Sequence, residues 1–502
     1  MTENSASKTG SGALTVVIGC DTFPPDINGA SRFAERLAGG LARHGNDVHI
    51  IAPAFDRNYG TFTEIIDGSA MTVHRIKSYK LPQHKTLRWI WPFNLESKTA
   101  KILRDVKPDA VHIQSHLIMG RALVKSAKRQ GVRVLATNHS MPENLIKYSV
   151  IIPGFLEKFA MKLAWADAGR ILKKVDFVTT PTRRAAELLE DAAGVKDVLA
   201  ISCGIDASKF ANTTPTSNAE PRVLFLGRLD YEKHIHNLLK AVAMLPKSLN
   251  TQVEIVGDGG EREYLQNLAL ELGIAKNVHF LGHVTEQELP LAYERATVFA
   301  MPSIAELQSI ATMEAMASGR PVIAADAMAL PHLVHDGDNG YLFQPDDVVE
   351  FSQKLNAVLT ASAAELERLS ENSLHLIQAH DIERTITIFE GLYRGEGVAE
   401  ATSDDNSEDY SRPIGLLSPV LHNRVLALRE RAQALRGSAQ ELRERAEDAR
   451  EDVREILTEL RDEAVERTKA VNTRVKKTAK KTARKARRAV SRAADLLKGD
   501  ED

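Results

Sequence analysis

Glu306 and Glu314 stand eight positions apart in the stretch from Met301 to Gly340, MPSIAELQSIATMEAMASGRPVIAADAMALPHLVHDGDNG. Ser303 to Glu306 reads as a turn and Ser309 as a helix N-cap. Ile310, Met313, Met316 and Ala317 fall on one apolar helical face, and Ser318-Gly319 closes the helix. Glu306 then precedes the helix and Glu314 lies a little over one turn inside it. The two acids could grip different parts of one elongated ligand, with the backbone N–H groups at the helix start seating a phosphate between them.

Two further loops carry charge or open backbone. Gly227-Arg228-Leu229-Asp230-Tyr231-Glu232-Lys233 sets two cations five positions apart, and Gly257-Asp258-Gly259-Gly260 follows the next apolar run. Together they could hold a diphosphate by charge and by N–H groups, although each alone is also the pattern of a solvated turn. Near the start, Gly29 in DTFPPDINGASRF either admits a ligand to the backbone or only serves a turn. His139, in TNHSMPEN at the end of another apolar run, is surrounded by polar residues where ligand-facing groups of an open α/β sheet are expected.

The elements that must position these residues alternate. Ala13 to Cys20, Val48 to Ala52, Val73 to Ile76, Ala110 to Ile113, Val132 to Ala136 and Phe177 to Thr180 read as buried strands, with helices over Lys98 to Lys107 and Gly120 to Gln130. A Thr/Ser/Asn/Pro-rich connector covers Ala211 to Pro221. A second series has strands at Val223 to Leu226, Val253 to Val256, Val278 to Leu281, Val298 to Met301 and Val322 to Ala325. Helices are expected over Asn237 to Met244, Glu261 to Leu272, Thr285 to Glu294, Ile310 to Ser318 and His380 to Tyr393. The fold class is therefore α/β, with two doubly wound halves.

At 502 residues the chain exceeds one ordinary core. Its formal charge of −2 hides an asymmetry: Glu430 to Arg467 holds twelve acidic and eight basic residues, whereas Lys469 to Arg492 holds eleven basic and no acidic ones. Cys20 and Cys203 are the two cysteines, which points to packed thiols rather than a disulfide framework or metal site. Residues 1–12 show no secretory pattern, and no apolar run is long enough to span a bilayer. A cytoplasmic protein is expected. In KLPQHKTLRWIWPF, aromatic and basic residues mix, which suits either a self-packed loop or contact with a membrane interface or acceptor.

As an ordered set, PPDINGAS, NHSMPEN, GRLDYEK, VGDGGEREYLQ, LGHV and AELQSIATMEAMASGRPVIA resemble the retaining glycosyltransferases of the GT-B fold, in particular family 4, over about Leu14 to Tyr393. The last motif resembles that family's Glu-x7-Glu. The resemblance implies two facing Rossmann-like domains, at 13–205 (acceptor) and 206–379 (nucleotide sugar), with 380–396 crossing back to the first. Glu306 would contact hydroxyls of the transferred sugar and Glu314 the ribose. Arg228 and Lys233 would neutralise the leaving diphosphate, Gly29 would lie near diphosphate and acceptor, and His139 would approach the donor sugar. The implied donor-binding set adds Gly257, Asp258, Leu307, Gln308, Ser309 and Ile310. No metal or other cofactor is expected, since the cations do a metal's work. The implied reaction is front-face hexose transfer with retention, and no general base is assigned; the paired-carboxylate chemistry of glycosidases does not apply.

The chain departs from the family pattern at Ala30, Cys203, Leu307 to Ser309 and Ala327 to His332, and these departures resemble a subgroup acting on lipid or lipid-linked acceptors, including actinobacterial mannosyltransferases and diacylglycerol glucosyltransferases. Beyond 396 the resemblance stops. Residues 397–424 read as a flexible linker and 425–467 as an amphipathic or coiled-coil helix, whose seam over 428–460 offers self-association. Residues 468–502 form a basic tail. Its stretch 468–492 could meet an anionic membrane surface, nucleic acid or polyphosphate, or remain a solvated tail. The leading expectation is a peripheral enzyme on the inner face of the plasma membrane that moves mannose or glucose from a nucleotide sugar, GDP-mannose or UDP-glucose, to a lipid or glycolipid. Alternatives are a soluble or polysaccharide acceptor, and a scaffold with an idle core.

Overall fold

In the computed structural model, residues 12–26, 28–80, 88–139, 157–210 and 220–396 are described. The linker 397–424, the helix 425–467 with its seam, and the basic tail 468–502 lie outside the described residues. So do all but Gly12 of residues 1–12, Ser140 to Asn144, and most of the connector 211–221.

The first half forms strands β1 (Thr15–Gly19), β2 (Asp47–Pro53), β3 (Gly60–Ile66), β4 (Ser69–Ile76), β5 (Tyr79–Lys80), β6 (Arg88–Trp89), β7 (Ala110–Ile113), β8 (Arg133–Thr137), β9 (Phe177–Thr180) and β10 (Leu199–Ala200). Eight of them make one sheet in the order β10-β9-β8-β7-β1-β2-β4-β3, while β5 and β6 pair as a separate ribbon. The second half contributes β11 (Arg222–Leu226), β12 (Gln252–Val256), β13 (Val278–Gly282), β14 (Val298–Met301), β15 (Val322–Ala325) and β16 (Gly340–Phe343), in the order β13-β12-β11-β14-β15-β16. The second sheet is parallel throughout, and in the first only β3 runs antiparallel, against β4. In both, the chain starts at the centre, builds one side and then crosses over. The crevice at the strands' carboxyl ends therefore opens beside β1 and beside β11.

Buried apolar runs explain the central strands. Ala110–Ile113 and Val322–Ala325 are buried at every residue, as a strand covered by helices on both faces requires. Strand β3 escapes that pattern, because most of its side chains face solvent at a sheet edge. Its hairpin to β4 turns on Asp67 and Gly68, with φ of 44° and 77°. Cys20 and Cys203 are buried free thiols.

The helix Ile382–Arg394 packs on the helix Gly29–Arg43, tying the end of the second half to the first sheet. A Cβ at Gly40 would stand 2.0 Å from Ile386 Cδ1, so glycine is what admits this contact. Phe389 lies against Phe33, and the Tyr393 hydroxyl meets His112 Nδ1 at 2.8 Å. Where the chain passes between halves its two crossings lie side by side: Ile205 N–H donates to the His380 carbonyl at 2.8 Å, and Ile382 N–H to the Ile205 carbonyl at 3.1 Å. Among the described residues no helix is long and apolar enough to cross a membrane.

At the end of the first helix, His44 meets Glu383 at 2.8 Å and Glu390 at 3.2 Å. Burial lowers the pKa of His44, but the hydrogen bonds to Glu383 and Glu390 outweigh it and hold the imidazolium above its ordinary range. A raised histidine contributes stability that is fully present below the unfolded pKa of about 6.5. That contribution is lost as pH rises through the folded value. His44→Gln should therefore lower Tm at pH 6 by an amount that shrinks towards pH 8.5, the difference at pH 6 being about 0.5 kcal/mol for a partly exposed pair. Thermal melts of both proteins across that range check it.

Candidate active site

The sequence-predicted site residues converge on a cleft of about 230 Å³. Its floor is made by the loops leaving β11, β12 and β14, and one wall by the start of the helix Gly29–Arg43. The two glycine loops are pressed together. A Cβ at Gly257, whose φ is 125°, would stand 1.9 Å from the Gly227 carbonyl oxygen. Gly227 N–H donates to Val256 O at 3.0 Å and Leu229 N–H to Asp258 O at 3.1 Å, so this backbone is stitched rather than slack.

Arg32, Arg36, Arg228 and Lys233 line the cleft together with Asp258, Glu286, Glu306 and Glu314, four cations against four acids. Three of these cations pair with three of these acids, and Arg228 turns instead to two acids of its own loop. Lys233 Nζ bonds to Glu306 Oε1. Arg228 bonds to Asp230 and, at 3.2 Å, to Glu232. Arg32 pairs with Glu286, and Arg36 Nη2 with Glu314 Oε1 at 2.7 Å. The last two join the helix of the first half to elements of the second. On its other side Glu314 Oε2 lies 3.0 Å from the Tyr293 hydroxyl, whose single hydrogen it shares with the Ala311 carbonyl, also at 3.0 Å. Burial opposes the charge on Arg36, but Glu314 outweighs it and holds the guanidinium above its ordinary value. Burial and then Glu314 push the Tyr293 phenol well up, so it stays a donor. Arg36 Nη1 is buried with no hydrogen-bond partner among the described residues.

The helix Ile310–Ala317 begins at Ser309, whose hydroxyl accepts from Thr312 N–H at 3.3 Å. Met313, Met316 and Ala317 are buried, while Ile310 lines the cleft with Gln308 and Ser309. Gln308 also fixes the junction between halves: its Oε1 accepts from Cys203 N–H at 2.7 Å and its Nε2 donates to Ser202 Oγ at 3.0 Å.

Not every predicted residue faces the cleft. Leu307 packs its side chain into the first half's apolar cluster, and its carbonyl accepts from Thr182 Oγ1 at 2.9 Å. His139 is not among the lining residues; its Nε2 meets Gln114 Oε1 at 2.9 Å and its ring lies 4.8 Å from Phe33. Burial pushes its pKa down to about 3, so the imidazole is neutral. Gly29 does line the cleft. Its backbone has no positive φ and a Cβ there would meet nothing within 4 Å, so neither turn nor packing demands glycine.

Sequence reasoning missed Arg32, Arg36, Glu286 and Tyr293. The four-residue step from Arg32 to Arg36 places both on one helical face, which is a readable signal. Nothing local names their partners, since Arg36 and Glu314 are 278 positions apart.

Two doubly wound sheets with a charged cleft at their carboxyl ends have the architecture of the GT-B fold. Residues 27–209 match the Glycosyltransferase Family 4 model and residues 207–375 the Glycosyl transferases group 1 model. The chain is 30% identical over 367 residues to a GDP-mannose-dependent alpha-mannosyltransferase of Mycolicibacterium smegmatis, covering 71% of this chain and 90% of that protein. It is 25% identical over 349 residues to the alpha-monoglucosyldiacylglycerol synthase of Acholeplasma laidlawii, covering 66% and 86%. In fold it is similar to sucrose-phosphate synthase from Thermosynechococcus elongatus, with a TM-score of 0.62, 21% identity and coverage of 76% and 98%. The chain belongs to the group 1, family 4 glycosyltransferases and is a hexosyltransferase.

Tyr293→Phe removes one of the two protein donors to Glu314 and should destabilise the protein by about 1–3 kcal/mol, the cost of stranding part of a buried acceptor. Denaturant melts at neutral pH measure it, and a loss below the error of the fit would contradict the assigned bond.

Proposed function

We propose that the cleft binds a nucleotide diphosphate hexose and transfers the sugar, with retention, to a lipid or glycolipid hydroxyl at the inner membrane face. The observation that carries this reading is the juxtaposition of Glu306, Glu314, Arg228 and Lys233 at the carboxyl ends of β11 and β14, beside an N-cap that opens a helix. Glu306 would hold sugar hydroxyls and Glu314 the ribose, whose hydroxyls can use the lone pairs that Arg36 and Tyr293 leave on each carboxylate oxygen. The unpartnered Nη1 of Arg36 supplies a further donor beside the ribose.

As the acceptor oxygen bonds to the anomeric carbon, the bond from that carbon to the phosphate oxygen breaks and negative charge gathers on the departing diphosphate. Lys233 and Arg228 stabilise it there by exchanging their carboxylate partners for phosphate oxygens. The leaving phosphate accepts the acceptor's proton, so neither glutamate is asked to move one. His139, neutral and held by Gln114 and Phe33 outside the cleft lining, is given no contact with the donor in this reading. No metal or other cofactor takes part in this reading.

A lipid acceptor is supported by the similarity to the alpha-monoglucosyldiacylglycerol synthase and by the surface near the β5-β6 ribbon. Tyr79, Trp89, Trp91 and Phe93 are exposed there, with Lys77 and Lys80 among exposed rings of Tyr59, Tyr79 and Phe55. Aromatic rings interleaved with cations suit the headgroup layer. The tail segment 468–492 would add attraction to anionic lipid, and the seam 428–460 self-association.

Purified protein incubated with membrane lipids and a panel of labelled GDP- and UDP-hexoses tests the reading. One donor should give a lipid-extractable labelled product, and Glu306→Ala should reduce transfer by roughly three orders of magnitude or more while the protein stays folded. Product only on a soluble glycan, or full turnover by Glu306→Ala, would overturn the acceptor or the site assignment respectively.

A further inference from the structure

Outside the cleft, His234, His236 and Asp346 each bring a ligand atom to within 4.8 Å of the others. His234 closes the 3₁₀ turn Tyr231–Lys233 after β11, His236 lies in the first turn of the helix Ile235–Ala243, and Asp346 sits in the loop after β16. We propose that these three side chains form a binding site for a divalent transition-metal ion, with Zn²⁺ the ion that two imidazoles and one carboxylate match best.

His234 Nδ1 is 3.0 Å from Asp346 Oδ1. That is close to the edge of about 3.3 Å that a tetrahedron with bonds of about 2.0 Å imposes. The wider separations close by side-chain rotation of half-buried His236 and exposed Asp346. The surroundings orient the ligands. Asn237 Nδ2, itself buried, donates to the same Asp346 oxygen at 2.9 Å, a support of the kind that metal-bound carboxylates use. Tyr231 lies over the His236 ring with planes 22° apart and packs edge-on against His234.

Among the described residues buried His234 has no hydrogen-bond partner at Nε2, so no bond there fixes its tautomer and Nδ1 is free to turn a lone pair to the ion. The exposed side of Asp346 leaves room for water as a fourth ligand. No ligand of this site lines the substrate cleft, so the ion does not take part in sugar transfer. Its consequence is positional: His234 follows Lys233, whose ammonium meets Glu306, and an ion would fasten that turn to the loop after β16.

The test uses full-length protein without a histidine tag, stripped with EDTA and titrated with Zn²⁺ by calorimetry. Wild type should bind one equivalent more than His236→Ala at neutral pH, and Zn²⁺ should raise the Tm of wild type but not of the variant. Asp346→Asn, a change at an exposed side chain, should weaken that equivalent roughly tenfold or more and keeps the test valid if His236→Ala folds poorly. Co²⁺ in place of Zn²⁺ should give the visible d–d bands of a tetrahedral site, absent from both variants. Equal stoichiometry and affinity in wild type and Asp346→Asn, with no tetrahedral Co²⁺ spectrum, would overturn the proposal.

Discussion

A carboxylate taken out of water must be compensated by the protein, and Glu314 is compensated from both halves at once. Arg36 reaches it from the first helix and Tyr293 from beneath the second sheet. An isolated buried charge would cost several kcal/mol, so removing either partner would strand the other, and the pair links the two halves beside their apolar contacts. The helix Ile382–Arg394 and the paired crossings at Ile205 and Asp381 set the same geometry from behind.

Within the cleft, charges cancel in pairs, and that balance bears on how an anion is accepted. Under the proposed reaction a diphosphate arriving at Lys233 and Arg228 would not meet bare cations; it would exchange with Glu306, Asp230 and Glu232. In the proposed reaction the acid released from Lys233 is the one that meets the sugar hydroxyls, so donor binding turns an ion pair within the protein into two contacts with the ligand. Pairing of this kind lowers the cost of keeping these cations and acids in one small space without substrate, and under the proposed reaction it favours a ligand that carries both hydroxyls and phosphate over one that carries phosphate alone.

Much of the scaffold was legible because central strands of a doubly wound sheet are buried on both faces and leave continuous apolar runs. Ala110–Ile113, Phe177–Thr180, Val298–Met301 and Val322–Ala325 coincide with their expected bounds for that reason. The edge strand β3 was missed because solvent on its face removes the apolar signal, although Asp67-Gly68 marked its hairpin. At the cleft, residues that announce themselves by local spacing, Glu306 with Glu314 and Arg228 with Lys233, do lie together. What could not be read was long-range pairing. Arg36 and Tyr293 owe their place to Glu314, and Leu307 and His139 turn towards first-half partners that no local pattern names.

Separate duties for the two glutamates form the central claim, and calorimetric binding of a donor sugar nucleotide against its bare nucleoside diphosphate tests it most directly. Glu314→Ala should weaken both ligands alike. Glu306→Ala should keep the affinity for the nucleoside diphosphate and lose only the increment that the sugar adds. If Glu306→Ala weakens the bare nucleoside diphosphate as much as the donor, the division of labour between the two acids is wrong.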